Sequence, residues 1–281
     1  MKTLAAVVAP AVLAALSIST AVLGVPPPRI VSLVPSLTED LFAIGAGPQV
    51  VGVSQFTDYP PAAAALPQVA TFASIDAERI VRLHPDVVVG INAQSRLIGD
   101  LRRLDIRTTL MNDDGYDDIF KDLAILGRIS GHASEASKLA GRLRARTSAL
   151  VRTVPRDARP RCFVVLGSAP IFTVGDRSFI ARLIALAGGR NAATGLRDAY
   201  ARYSAEALLA LQPDVILADK AVGLENVLDR PPWNGLRAVK AGRVYFFDDP
   251  DIIERPGPRY NEGLAWLIER LHPHEAGRAR T

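Results

Sequence analysis

The sequence predicts an α/β protein made of two similar lobes with mainly parallel sheets, joined by one long linker helix. Three observations predict it. A helix, turn and strand pattern occurs twice, as DAERIVRLHPDVVV over residues 76–89 and SAEALLALQPDVIL over residues 204–217, a constant offset of 128 residues from Asp76 to Ser204. Around each copy, short β-branched runs alternate with amphipathic stretches, the pattern of parallel strands with crossover helices. Between the copies, residues 134–151 carry one uninterrupted helical pattern, with Gly141 as its only weak point.

In each copy Asp76 or Ser204 supplies a capping oxygen for free N–H groups at a helix start. Glu78 and Glu206 follow in the first turn, where the helix dipole favours negative charge and the apolar stripe leaves them outward. Ile80, Val81 and Leu83, and in the second copy Leu208, Leu209 and Leu211, form that stripe. Pro85 and Pro213 stop the helices, and the apolar runs after Asp86 and Asp214 read as buried parallel strands. His84 and Gln212 share the same turn position, which marks His84 as a local structural residue.

In chain order, residues 29–34 (RIVSLV) predict a strand and residues 37–44 a helix, with Ser36 at its N-terminus and Gly45 and Gly47 at its end. A strand over 50–53 leads into the loop SQFTDYPP, in which adjacent prolines hold two exposed aromatics, Phe56 and Tyr59. After the first repeat come a polar turn at 92–95, a short helix over 97–104 and a strand over 108–111. The acidic segment 112–118 lacks the alternating ligands and distal glutamate of a calcium loop and reads as a turn into a helix over 117–129. The long helix follows, then a polar spacer between Pro155 and Pro160. The second lobe predicts strands at 162–166 and 171–174, a helix at 178–187, a polar stretch at 190–202, the second repeat, a linker containing Pro231, Pro232 and Trp233, a strand at 243–247, a loop at 248–258 and a closing helix at 259–271.

Composition narrows the function. With 281 residues and 49% hydrophobic content, the chain can bury one large core or two modest ones. Lys2, the apolar run 4–16 and the segment from Ser17 to Ala21 have the form of a secretory signal cleaved after Ala21 or Gly24, and Pro10 with the early polar run argues against a retained anchor. No cysteine stands near that point, so a lipid-modified N-terminus is excluded from the expectation. Lys2 is the only charge before Arg29, so the exported chain keeps 32 basic against 29 acidic residues, too balanced for a nucleic-acid binder. The predicted organisation is a signal over 1–24, a lobe over 29–130, a linker over 131–155, a lobe over 160–273 and a tail over 274–281. Cys162, the single cysteine, is expected as a buried thiol.

Catalytic constellations are missing. Gly167-Ser168-Ala169 lacks the flanks of a nucleophile elbow, and Gly188-Gly189 lacks the lysine of a phosphate loop. The histidines, at 84, 132, 272 and 274, form no helical metal-ligand pair, so no metal is expected to be coordinated directly.

From residue 29 to 273 the sequence resembles the periplasmic binding proteins that feed ABC importers of cobalamin and iron chelates. The resemblance is carried by SQFTDYPP, the two glutamate-bearing helices, IFTVG at 171–175 and ERPGPR at 254–259, and is closest to the cobalamin-binding members. It implies two lobes facing each other across a cleft, a linker that limits closure, no enzymatic activity and no cofactor beyond the carried ligand. It implies ligand-binding roles for Ser36, Tyr59, Phe72, Asn92, Phe172, Glu254 and Arg255, and docking of Glu78 and Glu206 onto a two-subunit permease in the inner membrane. The expected state is a periplasmic monomer. Asn92 and Ile252 stand where cobalamin binders carry tryptophan, so a corrinoid, a ferric siderophore and haem remain open as ligands. An anionic chelate would draw on Arg197, Arg202, Arg255 and Arg259. From another class, an exported two-lobed hydrolase or transferase is the alternative.

Overall fold

The computed structural model describes residues 26–112, 115–156 and 159–273. The predicted signal over 1–24 and the tail over 274–281 lie outside the described residues.

The first lobe runs β1 (Ile30–Ser32), α1 (Pro35–Ala43), β2 (Val50–Ser54), α2 (Pro61–Ala64), β3 (Gln68–Ala70), α3 (Ala77–Arg82), β4 (Val87–Ile91), α4 (Gly99–Arg103), β5 (Thr108–Met111) and α5 (Asp118–Ser130). Its five strands are all parallel, in the order β3-β2-β1-β4-β5. Helix α6 (Ala133–Val151) then connects the lobes. The second lobe runs β6 (Arg161–Val165), β7 (Gly167–Ser168), β8 (Ile171–Val174), α7 (Phe179–Leu186), β9 (Arg190–Asn191), β10 (Tyr200–Arg202), α8 (Ala205–Leu211), β11 (Val215–Asp219), α9 (Arg237–Lys240), β12 (Val244–Phe247), α10 (Asp251–Glu254) and α11 (Tyr260–Leu271). Its main sheet is also parallel, in the order β12-β11-β6-β9.

The strand orders β5-β4-β1-β2 and β12-β11-β6-β9 correspond, so the two repeats feed the same position in each lobe. The same contacts hold each copy. Asp76 accepts from the Arg79 amide at 2.8 Å and Ser204 from the Ala207 amide at 3.1 Å. His84 and Gln212 both take the left-handed conformation at φ 46, which turns the chain from helix to strand. Asp86 then accepts from the Arg29 amide at 2.7 Å, and Asp214 from the Arg161 amide at 2.9 Å. The proline-aspartate pair of the repeat therefore ties its strand to the first strand of the lobe.

Two expectations need correction. Strand 171–174 lies outside the parallel sheet, in an antiparallel set ordered β10-β8-β7, and the polar stretch 190–202 contains β9 and β10. Three-residue strands have no readable period, and their hydrogen-bond partners come from elsewhere in the chain. For the same reason β3, just after Pro67, was not predicted.

One apolar core runs through the linker. Leu41 and Leu123 of the first lobe, Leu139 and Leu143 of α6, and Leu183 and Leu264 of the second lobe belong to the same buried cluster. At the far end of α6, Thr147 Oγ1 lies 2.6 Å from the Tyr260 hydroxyl and donates to Asn261 Oδ1 at 3.0 Å, while Tyr116 from the first lobe reaches Tyr260 at 3.2 Å. A linker packed into both lobes and pinned by buried hydrogen bonds is expected to allow only a small closure, so scattering curves with and without ligand should nearly superimpose. Gly131, at φ 79, closes α5 in a left-handed cap that lets the chain turn into α6. Cys162 is fully buried, and burial pushes its thiol up to about 12.

Candidate cleft between the lobes

In parallel sheets, loops at the carboxyl ends of the strands form the binding crevice. Here the segments after β1, β2, β3 and β4 enclose a cavity of ≈250 Å³ whose walls include Leu33, Ile91 and Leu97 and whose mouth carries Phe56 and Phe72. Phe72 is 97% exposed and Phe56 is 67% exposed, an unusual state for two neighbouring aromatic rings. Gln94 braces the wall: its Nε2 donates to the Leu33 carbonyl at 3.0 Å and its Oε1 accepts from the Ile91 amide at 3.1 Å. Phe56 has φ 62, a costly conformation for an aromatic residue, and the loop around it is anchored by the buried Ser54 and Thr57 hydroxyls 3.2 Å apart.

The second lobe closes on this loop through two arginines. Arg255 contacts Glu39 at 3.0 Å, Asp58 at 3.2 Å and Asp251 at 2.9 Å, and donates to the Phe56 carbonyl at 2.9 Å. Four residues on, Arg259 lies over the Tyr59 ring at 4.2 Å and pairs with Asp249 and, at 3.6 Å, with Glu262. Gly257 sits between them against Ser36, whose Cα would lie 3.7 Å from a Cβ at that position.

The predicted site residues are thus distributed unevenly. Phe72 lines the cavity, and exposed Asn92, whose side chain donates to Asn112, stands beside lining residues Ile91 and Ala93. Tyr59 and Arg255 form the clasp across the lobes. Ser36 is buried under the opposite lobe. Phe172 is half-buried on β8, paired with Gly167 and Arg202 in the antiparallel set of the second lobe. Glu254 does not share the contacts of Arg255: its Oε1 is buried without a hydrogen-bond partner. Glu78 and Glu206 are exposed on α3 and α8, away from the clasp. The sequence reading missed Phe56 and Gln94 as cavity residues and Glu39 as the partner of Arg255.

Carboxylates outnumber arginines here, and burial holds several of them partly protonated. Burial raises Glu39 to about 7 despite the opposing Arg255, and raises Asp251 to about 6. Glu254 is raised to about 7 by burial, reinforced by Asp219 and Asp251. Deeper still, at the contact of α1 with α5, Asp40 is fully buried with neither oxygen hydrogen-bonded, and burial with the nearby Asp122 lifts it well above the carboxylate range. A raised carboxyl pKa favours the neutral form, so its contribution to stability is complete below the ordinary carboxylate range and is lost as pH rises through the folded-state value. Thermal stability is expected to fall between about pH 5 and about pH 8, and Glu254→Gln is expected to flatten part of that fall. Melting curves in a pH series check it; parallel curves for both proteins would contradict the assignment.

Known proteins share this architecture. A model of the periplasmic binding protein family matches residues 30–250. The ABC transporter substrate-binding lipoprotein YvrC of Bacillus subtilis, itself uncharacterized, is 29% identical over 256 residues, covering 88% of this chain and 81% of its own. The crystal structure of the periplasmic vitamin B12 binding protein BtuF of Vibrio cholerae superposes with a TM-score of 0.79 at 28% identity, covering 88% of this chain and 98% of that one. The periplasmic haem-binding protein RhuT from Roseiflexus sp. RS-1, in apo form, gives a TM-score of 0.79 at 26% identity over 89% of this chain and 99% of that one. These relatives are substrate-binding proteins, and the chain is a binding protein of that kind and not an enzyme. Two corresponding α/β lobes, a packed linker helix and a cleft at the strand ends place it in one group: the chain belongs to the periplasmic binding protein family, beside relatives named for ABC-transporter substrate, vitamin B12 and haem binding.

Proposed function

We propose that the chain is an exported receptor that takes a flat, cobalamin-like corrinoid into the cleft and delivers it to an ABC importer in the inner membrane. The observation that carries this reading is the apolar cavity lined by the exposed rings of Phe56 and Phe72, with Tyr59 exposed on the same loop as Phe56, surfaces suited to the faces of a macrocycle. The vitamin B12 specificity in the name of BtuF supports it. Haem is the second reading, favoured by the equal structural likeness to RhuT. An anionic ferric siderophore fits less well. Arg255 and Arg259, two of the four arginines available to receive it, are already committed to Glu39, Asp58, Asp251 and Asp249.

The predicted export signal over 1–24 supports a periplasmic location, and among the described residues no helix is long and apolar enough to cross a membrane. Glu78 and Glu206 are the contacts for the two subunits of the permease, one per lobe. Calorimetric and absorbance titration with cobalamin, haem and a ferric siderophore tests the ligand assignment. Stoichiometric binding of unchanged cobalamin is the expected result, and heat-silent titrations with both macrocycles would overturn it. Tyr59→Ala is expected to weaken binding by about 1–3 kcal/mol, the range for losing a stacked aromatic face. That ring face is now covered by Arg259, so a ligand exchanges places with a guanidinium. Unchanged affinity in a variant with native circular dichroism would remove Tyr59 from the site.

A further inference from the structure

The second lobe meets the cleft through its small antiparallel set. Strand β8 stands at the carboxyl end of β6, where the Leu166 amide donates to the Phe172 carbonyl at 2.9 Å. Ser168 Oγ donates to the Val222 carbonyl at 3.0 Å, just beyond the carboxyl end of β11. This is the edge at which open α/β sheets hold ligands. The segment after β12, a parallel neighbour of β11, leaves the same edge to bring Arg255 onto the first lobe. The antiparallel set therefore walls the second-lobe side of the cleft.

Its two faces differ. Residues directly opposite on antiparallel strands share a face, and neighbours along a strand alternate between faces. Thr173, opposite Ala201, is fully buried and its Oγ1 donates to the Val164 carbonyl at 2.6 Å, so that face packs onto β6. Phe172, opposite Arg202, points the other way. On this outer face Val174 anchors one end in the core, Phe172 is half-buried, and Tyr200 and Arg202 are exposed.

The charge on that face is uncommitted. The arginines of the clasp are both held by carboxylates, Arg255 by Glu39, Asp58 and Asp251, and Arg259 by Asp249 and Glu262. Arg202, among the described residues, has no ion pair and no side-chain hydrogen bond. Arg197 is exposed too, but it precedes β10 at the other end of the strand, beyond the bond from the Gly175 amide to the Ala199 carbonyl at 2.8 Å. A guanidinium carried on a strand beside a half-buried ring presents a planar fork to a pair of oxygens. One such group suits one oxyanion on the rim of a flat apolar plate, whereas a polyanionic chelate needs several.

We propose that Arg202 is a specificity-determining residue of the cleft, which receives one peripheral oxyanion of the ligand, a carboxylate or a phosphodiester, while the plate of the macrocycle lies against the aromatic surfaces. The inference rests on the receptor reading above and adds the charged part of its ligand. The bound macrocycle carries at least one anionic arm, and that arm lies toward the second lobe.

The test is calorimetric titration of wild type, Arg202→Gln and Arg202→Lys with two pairs of probes, in each of which one member lacks the anion. The pairs are haem with its dimethyl ester, and cyanocobalamin with dicyanocobinamide, which lacks the nucleotide phosphodiester. Wild type is expected to bind the anionic member of at least one pair about 10-fold more tightly than its anion-free analogue. Arg202→Gln is expected to remove that preference by weakening the anionic member alone, at unchanged melting temperature, and Arg202→Lys to keep part of it. A preference in the haem pair identifies a carboxylate, and one in the corrinoid pair a phosphodiester. A preference that survives Arg202→Gln, equal weakening of both members, or a wild type with no preference in either pair overturns the role of Arg202 and leaves the receptor reading standing. Silence of the wild type with all four probes overturns the receptor reading, and this inference with it.

Discussion

Arg255→Ala is expected to destabilise the protein by about 3–5 kcal/mol, the cost of leaving a buried ion pair with one partner. Arg255 is largely buried and its partner Glu39 almost wholly so, and the same guanidinium holds Asp58, Asp251 and the Phe56 carbonyl. Glu39, already raised to about 7, can take up a proton when the arginine goes, which places the loss toward the lower end of that range. The larger effect is local. With the clasp gone, amides over residues 54–61 are expected to exchange with solvent much faster, while those of α6 stay protected because its buried leucines and Thr147 are untouched. Melting curves and hydrogen exchange measure both, and an unchanged melting temperature with a protected loop would show that the lobes are not held by this arginine.

Gly263→Ala is expected to destabilise the protein by about 1–3 kcal/mol, with the upper end favoured. In an exposed helix the same change is stabilising by about 1 kcal/mol, because alanine is the better helix former. At Gly263 in α11, however, a methyl group would stand against the carbonyl oxygen of Ile252, well inside van der Waals contact, and a backbone atom cannot swing aside. The helix α10 would have to move, and with it Asp251, Glu254 and Arg255. The sign of the effect therefore decides between propensity and packing. A raised melting temperature would show that α10 is free to shift, and lowered ligand affinity would show that its position shapes the cleft.

Much of this architecture is written in local signals. The repeat was legible because a capping side chain, an apolar stripe, a proline and a β-branched run all lie within fourteen consecutive positions, twice. Strands β5 and β8 matched their predicted limits, and α6 extends only one residue beyond its predicted start. The exposed aromatics of SQFTDYPP were also readable, since prolines on one side and a strand on the other leave them few ways to bury. The partners of Arg255 were not. Glu39 is 216 positions away and sits in a helix where its charge reads as surface, as does that of Asp40, which is fully buried.

By itself the sequence determined the class of fold and the repeated position of the glutamates, because each depends on residue type within a turn or two of the chain. The tertiary structure alone decided that Ser36 is covered by Gly257, that Arg259 occupies the face of Tyr59, and that Glu254 has no partner for its buried oxygen. Those contacts form only where the two lobes, which share one buried core through α6, meet. Their energies depend on burial and on which charges meet across the cleft, quantities that no local pattern of residues encodes.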